Sequence, residues 1–148
     1  MPAPSILLLN GPNLNLLGDR EPEIYGTATI EDHADLARTT AESLGFTLDH
    51  HQSNHEGDLV DRVHAARGVH AAIIVNGGAF THSSWALHDA LASFDGPIVE
   101  LHISNPDSRE PWRRTSVISP VATAVIEGFG GEGYRLAVEG VAVLLARG

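Results

Sequence analysis

Ile6-Leu7-Leu8-Leu9-Asn10-Gly11-Pro12-Asn13-Leu14-Asn15 is the stretch that decides the fold. Its apolar residues run without a polar interruption, as in a parallel strand covered on both faces, and then empty into a Gly/Pro/Asn loop. Such strand ends are where α/β proteins place their chemistry. The loop continues into Asp19-Arg20-Glu21-Pro22-Glu23-Ile24-Tyr25-Gly26, which brings in an arginine and a tyrosine. Two further stretches repeat the pattern: Asn76-Gly77-Gly78-Ala79-Phe80-Thr81-His82 and Glu100-Leu101-His102-Ile103-Ser104-Asn105-Pro106 each follow an apolar run. Three loops are therefore expected to converge on one edge of one sheet.

Outward from these loops, strand and helix signals alternate. Strands are predicted at Ile6 to Asn10, Phe46 to His51, Ala71 to Asn76, Pro97 to Ile103 and Val121 to Ile126. Between them, Ile30, Ala34, Ala37, Ala41 and Leu44 repeat on one helical face, with Thr29 and Asp32 as a capping pair and Gly45 as the stop. Leu59, Val63 and Ala66 mark a second helix, and Leu87, Ala90, Leu91 and Phe94 a third that Ser83 or Ser84 can cap. A last helix is expected from about Tyr134 to Ala146. The alternation predicts an α/β fold: a flavodoxin-like, doubly wound, five-stranded parallel sheet in three α/β/α layers, forming one domain over 1–148.

Composition narrows the chemistry. With 148 residues and no cysteine, disulfides, zinc-thiolate sites and a cysteine nucleophile are excluded. All nine basic residues are arginine, so no side chain can form a Schiff base or serve as a P-loop lysine. A formal charge of −10 argues against wrapping nucleic acid. No run approaches the roughly 18 apolar residues of a membrane span, and Met1-Pro2-Ala3-Pro4 does not open like a secretion signal. A cytoplasmic protein without membrane or nucleic-acid partners is expected.

Two motifs are weaker than they look. Gly128-Phe129-Gly130-Gly131-Glu132-Gly133 has the letters of a dinucleotide-binding turn, but no further strand carrying a ribose-binding acid can follow it, and close strand-to-helix packing explains the glycines better. His50, His51 and His55 suggest a metal site, yet they straddle a strand end and a helix start, so only some could face one ion.

Several motifs in order carry a resemblance: Asn10-Gly11-Pro12-Asn13-Leu14, Arg20-Glu21-Pro22-x-x-Tyr25-Gly26, Gln52-Ser53-Asn54-His55-Glu56-Gly57, Asn76 with Thr81-His82-Ser83-Ser84, Glu100-x-His102-Ile103-Ser104-Asn105, Arg109-Glu110 with Arg113, and Ser119-Pro120. On these the chain resembles the type II 3-dehydroquinate dehydratases over essentially its full length. Gly77, Phe80 and Trp112 depart mildly from the family pattern, and the paired Gly77-Gly78 makes a more pliable loop than the family norm. The resemblance implies a lyase that dehydrates 3-dehydroquinate through an enolate, in the shikimate pathway of aromatic amino acid biosynthesis or in quinate catabolism. It also implies a reaction without metal or cofactor, and a dodecamer built as a tetramer of trimers.

Residue by residue, the resemblance makes Tyr25 the base, with Arg20, or secondly Arg113, favouring its phenolate. On local sequence alone Tyr25 is as well read as a half-buried ring anchoring a loop. Asn13 would hold the water that bonds the enolate oxygen, although Gly-Pro-Asn by itself suggests a turn asparagine. His102 would be the acid; Glu100, two residues earlier on the same strand face, can orient its imidazole. A strand histidine is otherwise most often a satisfied core group. Ile103 and Ser104 would cradle the substrate carboxylate. Asn76, His82 and Arg113 would bind substrate, with Arg109 in support and Asp89 reaching a neighbouring subunit's site. Leu14 to Tyr25, with few core-forming residues, would form a mobile lid. A non-catalytic ligand-binding protein and a metal-dependent hydrolase are the competing classes.

Overall fold

The computed structural model describes every residue of the chain except Met1, Arg20, Pro22, Ile24 and Tyr25. The expected base Tyr25 and its partner Arg20 thus lie outside the described residues. Strands β1 (Ser5–Asn10), β2 (Thr47–Gln52), β3 (Ala72–Asn76), β4 (Ile98–His102) and β5 (Ala124–Glu127) form a five-stranded sheet in the order β2-β1-β3-β4-β5. Every pairing is parallel. Between the strands run α1 (Ile30–Ser43), α2 (Glu56–Ala66) and α3 (Trp85–Ala92), and α4 (Glu132–Ala146) closes the chain. This is the predicted flavodoxin-like order.

Alternation along β1 shows how both faces are covered. Ile6 and Leu8 enter the core shared with α1 and α4, whereas Leu7 and Leu9 enter the one shared with α2 and α3. Helix ends follow their local chemistry. Thr29 and Asp32 form a reciprocal capping box at 2.9 and 3.2 Å, and Ser84 accepts the Leu87 N–H at 3.0 Å.

Two boundaries move for physical reasons. Ser119-Pro120-Val121 folds into a 3-10 turn, so β5 begins at Ala124 instead of Val121. In addition, α4 starts at Glu132, one half-turn before the expected Tyr134. The glycines before it allow close packing, as expected: a Cβ on Gly131 would lie 2.4 Å from His33 Cε1, and one on Gly133 would lie 2.9 Å from Leu101 Cδ1. No helix among the described residues is long and apolar enough to cross a membrane.

The strand order places the functional edge. From β1 the chain steps to one side for β2, then back past β1 to build β3, β4 and β5 on the other. In register, Asn10 pairs with both Gln52 and Asn76, so the loops after β1 and β3 leave the sheet side by side. A crevice at such a switch point is where doubly wound sheets bind ligands.

Candidate active site

The loops after β1 and β3 are locked together at atomic contact. Gly11 N–H donates to the Asn76 carbonyl at 2.8 Å. A Cβ on Gly11 would lie 2.3 Å from the Gly77 carbonyl oxygen, and one on Gly77 would lie 2.6 Å from Thr81 Oγ1. Gly78 has φ +57° and leaves its Cβ position 3.0 Å from the Pro12 carbonyl. The glycine pair permits an approach that a side chain would block.

From the other side, the Gln52-to-Gly57 motif supports the β1 loop. Gln52 Nε2 donates to the Gly11 carbonyl at 3.1 Å, and Asn54 Oδ1 accepts the Asn13 N–H at 3.0 Å. Asn13 itself takes a left-handed backbone, φ 69°, a conformation asparagine tolerates better than most residues. Beyond it, Leu14 and Leu17 are buried in the core, so the first part of the expected lid is anchored.

At the end of β4, Glu100 and His102 form a buried pair, with Glu100 Oε2 2.6 Å from His102 Nε2. Glu100 also accepts from Ser116 Oγ at 2.8 Å and from Ser119 Oγ. Burial pushes its pKa up, but the bonds from His102, Ser119 and Ser116 and the His102 charge outweigh this and hold it below the ordinary value. An ionised carboxylate only accepts, so Nε2 carries the proton toward it, and Nδ1 is the ring nitrogen left for a ligand.

His82 Nδ1 lies 2.7 Å from the Thr115 carbonyl and donates to it. Burial lowers the His82 pKa, with the charges of His102 and Arg113 acting in the same sense against the Thr115 carbonyl and Glu100. Trp112 meets the His82 ring edge-on at 5.3 Å, and the Arg113 guanidinium lies 4.0 Å over the Trp112 ring. Arg113 Nε also pairs with Glu110 at 2.7 Å. Arg109 donates to Ser104 Oγ at 3.3 Å and pairs with Glu21 at 3.5 Å.

One pocket brings most of the predicted residues together: Asn13, Asn76, His82, His102, Ile103, Ser104, Arg109 and Arg113 line it. Glu100 stands behind His102. Asp89 does not line the pocket and is exposed on α3. Four contributors had no role read for them in the sequence. Ser116 and Ser119 hold Glu100, and only the Ser119-Pro120 match pointed to one of them. Trp112, read as a mild departure, packs against both His82 and Arg113. Tyr134 lies fully buried under the site and bonds Asn10 and Asn76.

As a ligand set the wall offers guanidinium, imidazole and amide donors, which suit a carboxylate or a polyol. Among the described residues no three His, Asp or Glu groups converge to hold a metal ion. His51 pairs with Asp58 at 2.9 Å, and His50 Nε2 lies 3.0 Å from Asn10 Nδ2.

Comparison with known proteins points one way. The profile of the family described as Dehydroquinase class II matches residues 4–142. The 3-dehydroquinate dehydratase 1 of Corynebacterium efficiens is 57% identical over 134 residues, which are 90% of this chain and 89% of that protein. The catabolic 3-dehydroquinase 1 of Aspergillus terreus is 56% identical over 139 residues, 94% and 91% of the two chains. The crystal structure of a type II dehydroquinase from Propionibacterium acnes superposes with a TM-score of 0.90 at 39% identity, covering 94% of this chain and 96% of that one.

Proposed function

The chain belongs to the class II dehydroquinase family, and from that premise we propose that it converts 3-dehydroquinate to 3-dehydroshikimate and water through an enolate. The observation that carries this reading is the buried Glu100–His102 pair, 2.6 Å apart, behind a wall of hydrogen-bond donors.

In the proposed course, Tyr25 as phenolate takes the proton from the carbon next to the ketone. Arg20 favours that phenolate, as the Arg20-to-Tyr25 motif match suggests. The C–H electron pair forms the enolate, and its oxyanion is bonded by a water held at Asn13. The pair then returns, the carbon–oxygen bond to the β-hydroxyl breaks, and His102 supplies the proton with which that oxygen leaves as water. With Nε2–H committed to Glu100, the proton that leaves is the one a doubly protonated ring carries on Nδ1. A proton passed from the Tyr25 phenol back to His102 through solvent restores both groups. Ile103 and Ser104 receive the substrate carboxylate, while Asn76, His82 and Arg113 hold its hydroxyls and Arg109 supports them.

The remaining parts of the reading concern motion and assembly. Leu14 to Tyr25 closes over the ligand as a lid, held at its start by the buried Leu14 and Leu17. Trp85, 63% exposed, and Asp89, one turn along α3, form a face that supports a tetramer of trimers in which Asp89 enters a neighbour's site. The protein works in the cytoplasm, in aromatic biosynthesis. Quinate breakdown uses the same chemistry, a catabolic role being the one the Aspergillus relative's name gives, and aromatic auxotrophy on gene deletion separates the two.

The direct test is ultraviolet absorbance with purified 3-dehydroquinate. A conjugated enone should accumulate in proportion to enzyme; no rise above the uncatalysed rate overturns the assignment.

A further inference from the structure

Tyr134 lies in the first turn of α4 and has no part in the proton transfers above. Fully buried, its hydroxyl spans the residues that end β1 and β3: it donates to Asn10 Oδ1 at 2.6 Å and accepts from Asn76 Nδ2 at 3.1 Å. Burial pushes its pKa well above the ordinary tyrosine value, so it stays a neutral phenol that can donate and accept at once.

The direction of these bonds is set from one end. The Gly78 backbone N–H, which can only donate, meets Asn76 Oδ1 at 3.3 Å. The Asn76 NH2 must therefore face Tyr134, whose hydroxyl accepts there and gives its own proton to Asn10 Oδ1. Asn10 then turns its NH2 to His50 Nε2 at 3.0 Å. Burial lowers the His50 pKa, with Arg38 and His51 in the same sense and Glu31 and Asp35 opposed, which keeps that nitrogen free to accept. A single relay of one polarity links the loop after β3 to the edge strand β2.

We propose that Tyr134 is a positioning residue that holds the Asn76 amide in the orientation the Gly78 N–H selects, so that its second N–H, and not its oxygen, is offered to substrate. The inference rests on Asn76 binding substrate, as read above. Rotating that amide by half a turn would set NH2 against the Gly78 N–H, donor against donor. With the Tyr134 hydroxyl in place, the opposite orientation is satisfied at both ends. Without it, the contacts among the described residues leave the Asn76 amide only its 3.3 Å bond to Gly78.

The test is a double-mutant cycle on the intact enzyme. Tyr134→Phe keeps the ring, which stacks on His33 at 5.1 Å, and removes only the hydroxyl. Asn10→Ala removes the acceptor of that hydroxyl and serves should the buried phenylalanine variant not fold. Each is assayed alone and together with Asn76→Ala, with circular dichroism confirming the fold at the assay temperature. In the wild-type background either change should lower kcat/KM about tenfold, chiefly through KM. With Asn76→Ala already present, the same change should cost less than about twofold. Equal losses in both backgrounds would mark Tyr134 as a structural residue and overturn the proposal, as would a Tyr134→Phe enzyme with wild-type kcat/KM beside an impaired Asn76→Ala. Wild-type activity in Asn76→Ala alone would instead remove Asn76 from substrate binding, and the inference with it.

Discussion

Glu100→Gln is the substitution whose outcome the geometry determines most closely. Glu100 is 1% exposed and accepts from three donors, His102 Nε2 at 2.6 Å, Ser116 Oγ at 2.8 Å and Ser119 Oγ. Glutamine has the same shape, and its amide oxygen can still accept from His102 and Ser116. The new NH2 falls at the Ser119 end, where a hydroxyl can turn to accept it. Packing is kept and one charge is removed. A bond from imidazolium to carboxylate is worth about 1.5–3 kcal/mol, against about 0.5–1.5 kcal/mol for a neutral acceptor. Roughly 1.4 kcal/mol of support for the protonated ring is thus lost, which is about tenfold in kcat. Stability gives a second readout. Because the Glu100 pKa is depressed below the ordinary 4.5, its contribution is fully present above pH 4.5 and lost as pH falls through the native value. The wild type should therefore lose melting temperature more steeply below pH 4.5 than the variant does. An unchanged kcat, with the variant folded, would refute the claim that Glu100 acts on His102.

Four further outcomes are expected. His102→Ala should lower kcat by roughly 10²–10⁴ and raise KM, and steady-state assay of a variant at full activity would point to another proton donor. Trp112→Ala, which frees both His82 and Arg113, should raise KM about two- to fivefold with kcat little changed, measured by progress curves. Burial lowers the pKa of His33, His50 and His82 from 6.5, so below about pH 6.5 the unfolded chain binds protons that the native state does not; urea midpoints should fall from pH 7.5 to 5.5. Since the chain has no lysine, borohydride with substrate should leave activity intact and add no mass to any side chain, and mass spectrometry showing an adduct would contradict the enolate route.

How much of this was legible follows from what each feature depends on. Strand runs such as Ile6-Leu7-Leu8-Leu9 and caps such as Thr29 with Asp32 are local, and they read correctly because neighbours in sequence decide them. The pairing of Glu100 with His102 was legible too, since residues two apart on a strand share a face. Ser116 and Ser119 were not, because only the return of the chain after β4 brings them onto Glu100. Tyr134 was harder still: 124 positions separate it from Asn10, and nothing in the last helix marks one tyrosine as polar core. The close approach at Gly77-Gly78 was not legible for a related reason. Glycine permits motion in a free loop and contact in a crowded one, and the crowding of Gly78 by Pro12 is tertiary.

The acidity of the chain, −10 overall, contrasts with a pocket whose described lining holds two arginines, two histidines and no carboxylate. The carboxylates stand one layer back. Glu100 is behind His102 at 2.6 Å, Glu110 is on Arg113 at 2.7 Å, and Glu21 is on Arg109 at 3.5 Å. Each takes one donor of its partner and so orients the remaining N–H groups. Placed in the wall itself, an acid would repel an anionic substrate and compete with it for those donors. Placed behind, it holds the donor in position while leaving the inner surface electropositive. A net charge counted over the whole chain therefore reveals nothing about the sign of the site, which is set by which end of each ion pair faces the ligand.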